Sequence, residues 1–81
     1  SNEEFVPTII KIVTTTNPYP PCFWTIETDR GITRFQLESE DDIRRLEDQR
    51  IMIADANGIR YSIPDIRQLD AASQRIVRRL V

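Results

Sequence analysis

An Asn-Gly dipeptide between two short apolar segments is the feature that most limits how this chain can fold. Asn57-Gly58 separates RIMIAD (50–55) from IRYSI (59–63), and in both segments apolar side chains alternate with other residues. Alternation with period two is typical of strands, and Asn-Gly supplies the positive φ angles that tight hairpin turns require. The sequence therefore predicts an antiparallel hairpin here.

Two registers are open for this hairpin. A two-residue loop would pair Asp55 with Arg60. A three-residue loop, with Gly58 in a bulge position, would instead pair Ile53 with Tyr61. We favour the three-residue loop because it gathers the apolar residues of the hairpin on one face: Ile51, Ile53, Ile59, Tyr61 and Ile63.

Three strands are predicted before this hairpin. Segment 8–16 is rich in β-branched residues, and a proline-rich stretch at 17–21 separates it from strands at 22–28 and 33–38. A turn containing Gly31 joins the last two. Pairing Thr28 with Thr33 would place the apolar pairs Trp24–Leu37 and Ile26–Phe35 on one face, and the charged pair Glu27–Arg34 on the other.

Two helices complete the prediction. Ser39 is a suitable N-cap for a helix of about two turns ending near residue 48, with Ile43 and Leu46 on one face. Asp70 is a suitable N-cap for a last helix over 71–80, whose apolar stripe contains Ala72, Ile76, Val77 and Leu80. Segment 65–69 is predicted as a turn or a single helical turn.

The element order is therefore β-β-β-α-β-β-α, which predicts an α+β domain with a largely antiparallel five-stranded sheet. Residues 1–2 have the character of a tag-cleavage scar, and 3–81 are expected to form one small domain. The expected core consists of Trp24, Ile26, Phe35, Leu37, Ile53, Tyr61, Ile76 and Leu80, while Gly31, Asn57 and Gly58 are expected in turns.

Composition argues against several kinds of active site. The chain has 81 residues, a formal net charge of −2, no histidine and one cysteine. Without histidine there is no Ser-His-Asp triad, Cys-His pair or imidazole ligand, and one cysteine cannot form an internal disulfide. We expect no catalytic residues, metal or cofactor, and therefore no enzyme. The slightly acidic balance also argues against nucleic-acid binding.

Two groups of reactive side chains have simpler interpretations. Carboxylates cluster at 38–42, where they match the positive end of the predicted middle helix better than any calcium loop. Cys22 alternates with Trp24 and Ile26, which indicates a small core residue rather than a nucleophile. A single cysteine, and the lack of an export signal or a membrane-spanning apolar segment, predict a cytoplasmic protein.

Arginines and an aromatic residue mark the candidate interaction surface. Arg75, Arg78 and Arg79 lie on the polar side of the last helix, and Tyr19 and Pro20 lie in the proline-rich connection. A solvated helix face and a rigid connection are the simpler interpretations, but Arg and Tyr are also enriched in protein interfaces. Edge strands of the sheet could in addition pair with a partner strand or a second copy.

Several pieces of the chain carry a family resemblance. The pieces WxIETxRG, FxLxSEDDIRRL and IxDANGxRYxIPD lie within 23–70, in order and close together. With them the chain resembles a bacterial family of domains of unknown function. The resemblance implies an association with cyanophycin metabolism and a position beside, or fused to, ABC-type transporters.

We therefore expect a non-enzymatic accessory or interaction domain that binds a protein partner, including a transporter subunit, or pairs with itself. The alternative is a regulatory module that recognises a charged polymer or peptide. The two differ in whether binding resides in a surface for a folded protein or in a site for a flexible charged chain.

Overall fold

The computed structural model describes residues 5–81, so the expectation of a tag scar at 1–2 lies outside the described residues. The chain forms six strands and one α-helix in these residues, in the order β1 Ile9–Thr15, β2 Cys22–Thr28, β3 Gly31–Leu37, β4 Ile43–Arg45, β5 Ile51–Ala54, β6 Arg60–Ile63 and α1 Ala71–Arg78. Single 3-10 turns lie at Glu40–Asp42 and at Ile66–Gln68.

The expected five-stranded sheet with two helices is wrong. The strands instead form two separate antiparallel sheets of three strands each, in the orders β1-β2-β3 and β4-β5-β6. The domain is still of the α+β class, but α1 is the only α-helix in residues 5–81.

The missing middle helix explains the difference. Ser39 does accept a hydrogen bond from the Asp41 amide at 3.1 Å, but the cap leads into a single 3-10 turn. Ile43 then begins β4 and pairs with Ile53 of β5. An isolated two-turn helix is marginally stable, whereas the strand buries the β-branched Ile43 and leaves Leu46 partly exposed. The i, i+3 spacing of two apolar residues did not distinguish these outcomes.

The register of the first hairpin also differs from the prediction. Trp24 lies opposite Phe35 rather than Leu37, and Thr28 lies opposite Gly31 rather than Thr33. Gly31 has a φ of 110°, which lets the turn close over only two residues. The Thr28 hydroxyl donates to the Gly31 carbonyl at 2.8 Å and fixes this turn. Because the shift is two residues, the expected face stays inward.

The same shift removes the expected charge pair from the outer face of the hairpin. Glu27 lies opposite Ile32, and Arg34 lies opposite Thr25.

The prediction for the second hairpin is confirmed. Ile53 pairs with Tyr61, and Gly58 has a φ of 81° at the end of the three-residue loop. Ile59 is the exception: it was expected on the apolar face, but it is exposed, because the ladder ends at the Ala54–Arg60 pair and Ile59 lies between that pair and the loop.

The core lies between the two sheets. Aromatic rings connect them, since the Phe35 ring stacks on Tyr61 at 4.7 Å between centroids and contacts Trp24 at 5.9 Å. Of the residues expected in the core, Ile76 is only partly buried, and the following are buried: Trp24, Ile26, Phe35, Leu37, Ile53, Tyr61 and Leu80.

Backbone hydrogen bonds join the two sheets at opposite edges. The Ser62 amide of β6 donates to the Pro7 carbonyl at 2.9 Å, just before β1. At the far side, the Ala56 amide donates to the Gln36 carbonyl of β3, also at 2.9 Å. The domain thus approaches a small closed structure with β3 and β4 at its remaining edges.

Helix α1 packs on β1 through a face that keeps most of the predicted apolar stripe and adds Ser73. The Asp70 carboxylate accepts from the Ser73 amide as the expected N-cap. The buried positions are Ser73, Val77 and Leu80, whereas Ala72 is exposed. Ser73 belongs to the buried face because its hydroxyl accepts a hydrogen bond from the Ile12 amide at the edge of β1.

Candidate interaction surfaces

The predicted surface residues of the proline-rich connection and the last helix lie together. The Arg79 guanidinium lies 5.7 Å from the centroid of the Tyr19 ring, and its Nε donates to the Pro18 carbonyl at 3.3 Å. The Tyr19 side chain is 53% exposed. Pro20 is half-buried beside it, before a cis peptide bond to Pro21. We call this area, with the exposed Arg75 and Arg78, the Tyr19–Arg79 surface.

The arginines of this surface carry a positive charge that faces solvent. Arg78 donates to the Gln74 side chain at 3.3 Å, and Arg75 and Arg78 are one turn apart on the solvent side of α1. Within residues 5–81, Arg67 forms salt bridges with Asp48 and Asp65, whereas the arginines of this surface form none. The surface therefore combines an exposed aromatic ring with a local positive charge, the composition that protein interfaces favour.

The outer edge of β1 is covered. The Ile12 amide, which points away from β2, donates to the Ser73 hydroxyl at 2.9 Å. That hydroxyl in turn donates to the Asp70 carboxylate, which, with its other hydrogen bonds, lowers the pKa of Asp70. Before β1, Thr8 forms a bridge with Ser62 of β6. Helix α1 and β6 thus occupy the edge that the first strand would otherwise offer.

The outer edge of β3 is open over most of its length. The Thr16 amide donates to the Phe23 carbonyl, so the backbone amide and carbonyl of Phe23 point toward β1. The backbone groups of the residues that alternate with it along β2 therefore point toward β3. It follows from the register that the amide and carbonyl groups of Ile32 and Arg34 point away from the sheet. In the described part of the chain only the Gln36 carbonyl, at the end of β3, has a backbone partner beyond the sheet.

A shallow groove of about 430 Å³ runs beside this edge. The stacked Phe35 and Tyr61 rings line it, and the exposed Ile59 stands on its far wall. On the outer face of the sheet the Arg34 guanidinium lies 4.7 Å from the Phe23 ring centroid, directed back over β2. We call Gly31–Arg34, with this groove, the β3 edge.

Asp55 holds the far wall of the groove in place. Its Oδ1 accepts from the amides of Asn57 and Ile59, both at 2.9 Å, and the Tyr61 hydroxyl lies 3.4 Å from its Oδ2. Burial, followed by the negative charge and hydrogen bond of Asp55, raises the pKa of Tyr61. The role of the Asp55 carboxylate is therefore to form the turn between β5 and β6.

The other carboxylates are spread over the surface. Asp41 and Asp42 line a second open concavity of about 430 Å³ on the outer face of β4-β5-β6, together with Arg44, Arg60 and Met52. Arg67 donates two side-chain hydrogen bonds and one backbone hydrogen bond to Asp65, all of 2.9 Å, and these lower the pKa of this carboxylate. Across residues 5–81 there is no group of three His, Cys, Asp or Glu side chains placed to hold a metal ion.

Cys22 is buried at the start of β2, and this burial raises the pKa of its thiol. Its neighbours are core side chains, as its alternation with Trp24 implies.

A family model described as a domain of unknown function, DUF1854, matches residues 1–80. The chain belongs to this family. Because the match spans almost the full sequence, both the Tyr19–Arg79 surface and the β3 edge are parts of the DUF1854 domain. No curated protein and no solved structure matches the chain. Over residues 5–81, no helix has the length and apolar character needed to cross a membrane.

Sequence reasoning did not single out the β3 edge. The signal was present in Ile32, an apolar residue that the two-residue turn leaves on the outer face, but the predicted register assigned it to the turn. Correct treatment of Gly31 as the first residue of the strand would have placed Ile32 on the outer face, where Arg34 was already expected.

Proposed function

We propose that this DUF1854 domain is a non-enzymatic interaction module that docks on an acidic surface of a protein partner. The observation that supports the proposal is the contact of Arg79 with Tyr19 and Pro18, which joins the helix end and the proline-rich connection into one surface. A preformed surface loses little conformational entropy on binding, because its side chains are already held.

Charge gives the proposed partner its chemistry. Arg75, Arg78 and Arg79 project from one side of α1, and Arg forms bidentate contacts with carboxylates. Tyr19 adds apolar area with a polar tip, as is common in interface hot spots. We propose a subunit of an ABC-type transporter, in the cytoplasm, as the first partner to examine, and a cyanophycin-related system as its setting. Both rest on the resemblance of the sequence pieces given above.

A binding experiment with paired charge reversals tests the proposal. The domain would be mixed with the nucleotide-binding subunit of an ABC-type transporter from the same organism, and affinity measured by calorimetry at two salt concentrations. We expect Arg75→Glu/Arg78→Glu to weaken binding by tenfold or more, since each rim or interface charge contributes to association. The matched control is Arg44→Glu/Arg60→Glu, which reverses two charges on the outer face of β4-β5-β6.

Equal loss of binding in both double variants would contradict the Tyr19–Arg79 surface as the docking site. No binding of the wild-type domain would contradict the transporter as partner. Purification of the full-length native protein with its bound neighbours would then identify the partner independently.

A second candidate function is supported by the concavity on the outer face of β4-β5-β6. Arg44 and Arg60 lie there beside Asp41 and Asp42, with Met52 between the charged groups. Charges of both signs around an apolar centre suit a flexible charged polymer or peptide, and the module would then be regulatory.

Polyaspartate distinguishes the two functions. If the second function holds, polyaspartate binds with a steep salt dependence and Arg44→Glu/Arg60→Glu abolishes binding, while the reversals on α1 have little effect. The opposite pattern supports the first function.

A further inference from the structure

We propose that the β3 edge pairs with the β3 edge of a second copy of this chain, antiparallel, about a two-fold axis at Thr33. This dimer site is separate from the Tyr19–Arg79 surface and goes beyond the proposed docking function. It joins two three-stranded sheets into one continuous sheet of six strands.

The backbone specifies the register. The outward amide and carbonyl groups belong to Ile32 and Arg34, and hydrogen-bonded pairs in an antiparallel ladder form between such residues. Pairing Ile32 with Arg34 of the second copy, and Arg34 with its Ile32, satisfies all four groups on each strand. Thr33 then faces its own symmetry mate in a pair without hydrogen bonds. Beyond Arg34 the ladder stops, because the Ala56 amide already occupies the Gln36 carbonyl.

The side chains are self-complementary in this register. Ile32 is 71% exposed, more than any other apolar strand residue among 5–81. In this register Ile32 lies directly opposite Arg34 of the second copy, and the Cβ atom of that arginine, about 5 Å away, would cover part of the Ile32 side chain. Glu27 of β2 lies directly opposite Ile32 on the inner side of the strand. Since Arg34 of the second copy lies opposite Ile32 on the other side, Glu27 is two strand spacings, about 10 Å, from that arginine. Arg34 is held over Phe23, away from the edge, which keeps the two symmetry-related guanidiniums apart.

The other edges of the domain are less suited to this role. Helix α1 and Pro7 occupy the edges of β1 and β6, and β4 has only three residues. The edge of β3 carries no proline, lysine or bulge, which are among the devices that keep exposed strands from pairing, and its one charged side chain, Arg34, is turned back over Phe23. A second copy presents the same short, unpaired segment and is therefore the occupant that matches it in length and pattern.

Sedimentation velocity over a wide concentration range is the first test, with two substitutions at one position. Arg34→Pro removes an amide that has no partner within the chain, and proline is tolerated at such edge positions. It should raise the dimer dissociation constant about thirtyfold, because two intermolecular hydrogen bonds are lost. Arg34→Ala keeps the amide and should change the constant by about threefold or less.

Cysteine cross-linking is the second test, and it does not depend on a destabilising variant. In a Cys22→Ala background, Thr33→Cys places two thiols across the axis, with Cα atoms about 4.5 Å apart, within disulfide range. Ile32→Cys is the matched control: it is on the same edge and more exposed, but in this register its symmetry mate is about 8 Å away. We expect a rapid covalent dimer with Thr33→Cys and a slow one with Ile32→Cys.

A chain that stays monomeric at all concentrations overturns the proposal. So does a dimer that Arg34→Pro leaves unchanged, or one in which Ile32→Cys cross-links faster than Thr33→Cys. Because none of these variants touches α1, loss of the dimer with retained partner binding separates this inference from the proposed function.

Discussion

The two sheets of this domain share one core but are held together by different means. Strands β1, β2 and β3 have seven residues each, and β2 has a full ladder with β3. Strands β4, β5 and β6 have three or four residues. In the second sheet few ladder hydrogen bonds are available, so buried isoleucines and the polar contacts of its turn must contribute more of the stability.

The turns show the same contrast. Asp29, in the turn between β2 and β3, is exposed and accepts one hydrogen bond, from the Thr8 amide. Asp55, in the turn between β5 and β6, is buried and serves two amides and a tyrosine hydroxyl. An aspartate carboxylate therefore makes one exposed contact in the turn of the β1-β2-β3 sheet, but holds together the turn of the β4-β5-β6 sheet.

The largest effect is expected from Ile53→Ala, which tests whether the short sheet can unfold alone. Ile53 is fully buried on the central strand of the second sheet, so truncation should cost about 2–5 kcal/mol. Because the core is shared, urea unfolding should remain a single transition. The transition followed by Trp24 fluorescence, which reports on the first sheet, should coincide with the transition followed by far-ultraviolet circular dichroism. Separate transitions would show that the sheets are independent.

Substitution of the two turn aspartates compares the sheets directly. Asp55→Ala leaves amides of Asn57 and Ile59 and the Tyr61 hydroxyl without their acceptor, and should lower the free energy of unfolding by about 2–3 kcal/mol. Asp29→Ala, the matched control, should cost less than about 1 kcal/mol, because its site is exposed. Urea denaturation measures both. Equal costs would remove the distinction drawn between the turns.

Glycine substitution sharpens the comparison at smaller energies. Gly58 has a φ of 81° and Gly31 a φ of 110°, and a Cβ added at either position would meet no atom within 4 Å. Alanine should therefore cost about 1–2 kcal/mol at both sites through backbone strain alone. Asparagine should recover part of that at Gly58, which is near the left-handed helical region, and little at Gly31. Thermal melts of the four variants test this order.

Acid should weaken the contacts that follow the second sheet. Hydrogen bonds from Arg67 lower the pKa of Asp65, and those from Ser73 lower the pKa of Asp70. Their stabilising contribution is complete above the unfolded-state pKa near 3.8 and is lost as the pH falls through the lower folded-state values. In Asp65→Asn/Asp70→Asn the decline of stability below pH 4 should be shallower than in the wild type, as followed by urea midpoints.

The sequence was informative where local chemistry decides structure. Asn57-Gly58 specified the second hairpin with its register, and Asp70 specified the start of α1. It was less informative where tertiary pairing decides. The choice between helix and strand at Ile43 depended on Ile53 as a partner, and the burial of Ser73 on α1 depended on the Ile12 amide of β1. Ile32 lies on the outer face of the β3 edge because the turn is two residues shorter than predicted.

The hydrogen bond between Ile12 and Ser73 joins residues 61 positions apart. During synthesis, β1 can pair with β2 as soon as both strands have emerged, yet its outer edge is not covered until β6 and then α1 are made. For that interval the nascent chain presents two unprotected strand edges rather than one, and such edges promote aggregation. Ser73 therefore completes the cover of β1 late in synthesis, and α1 blocks the strand edge at which the domain should not assemble.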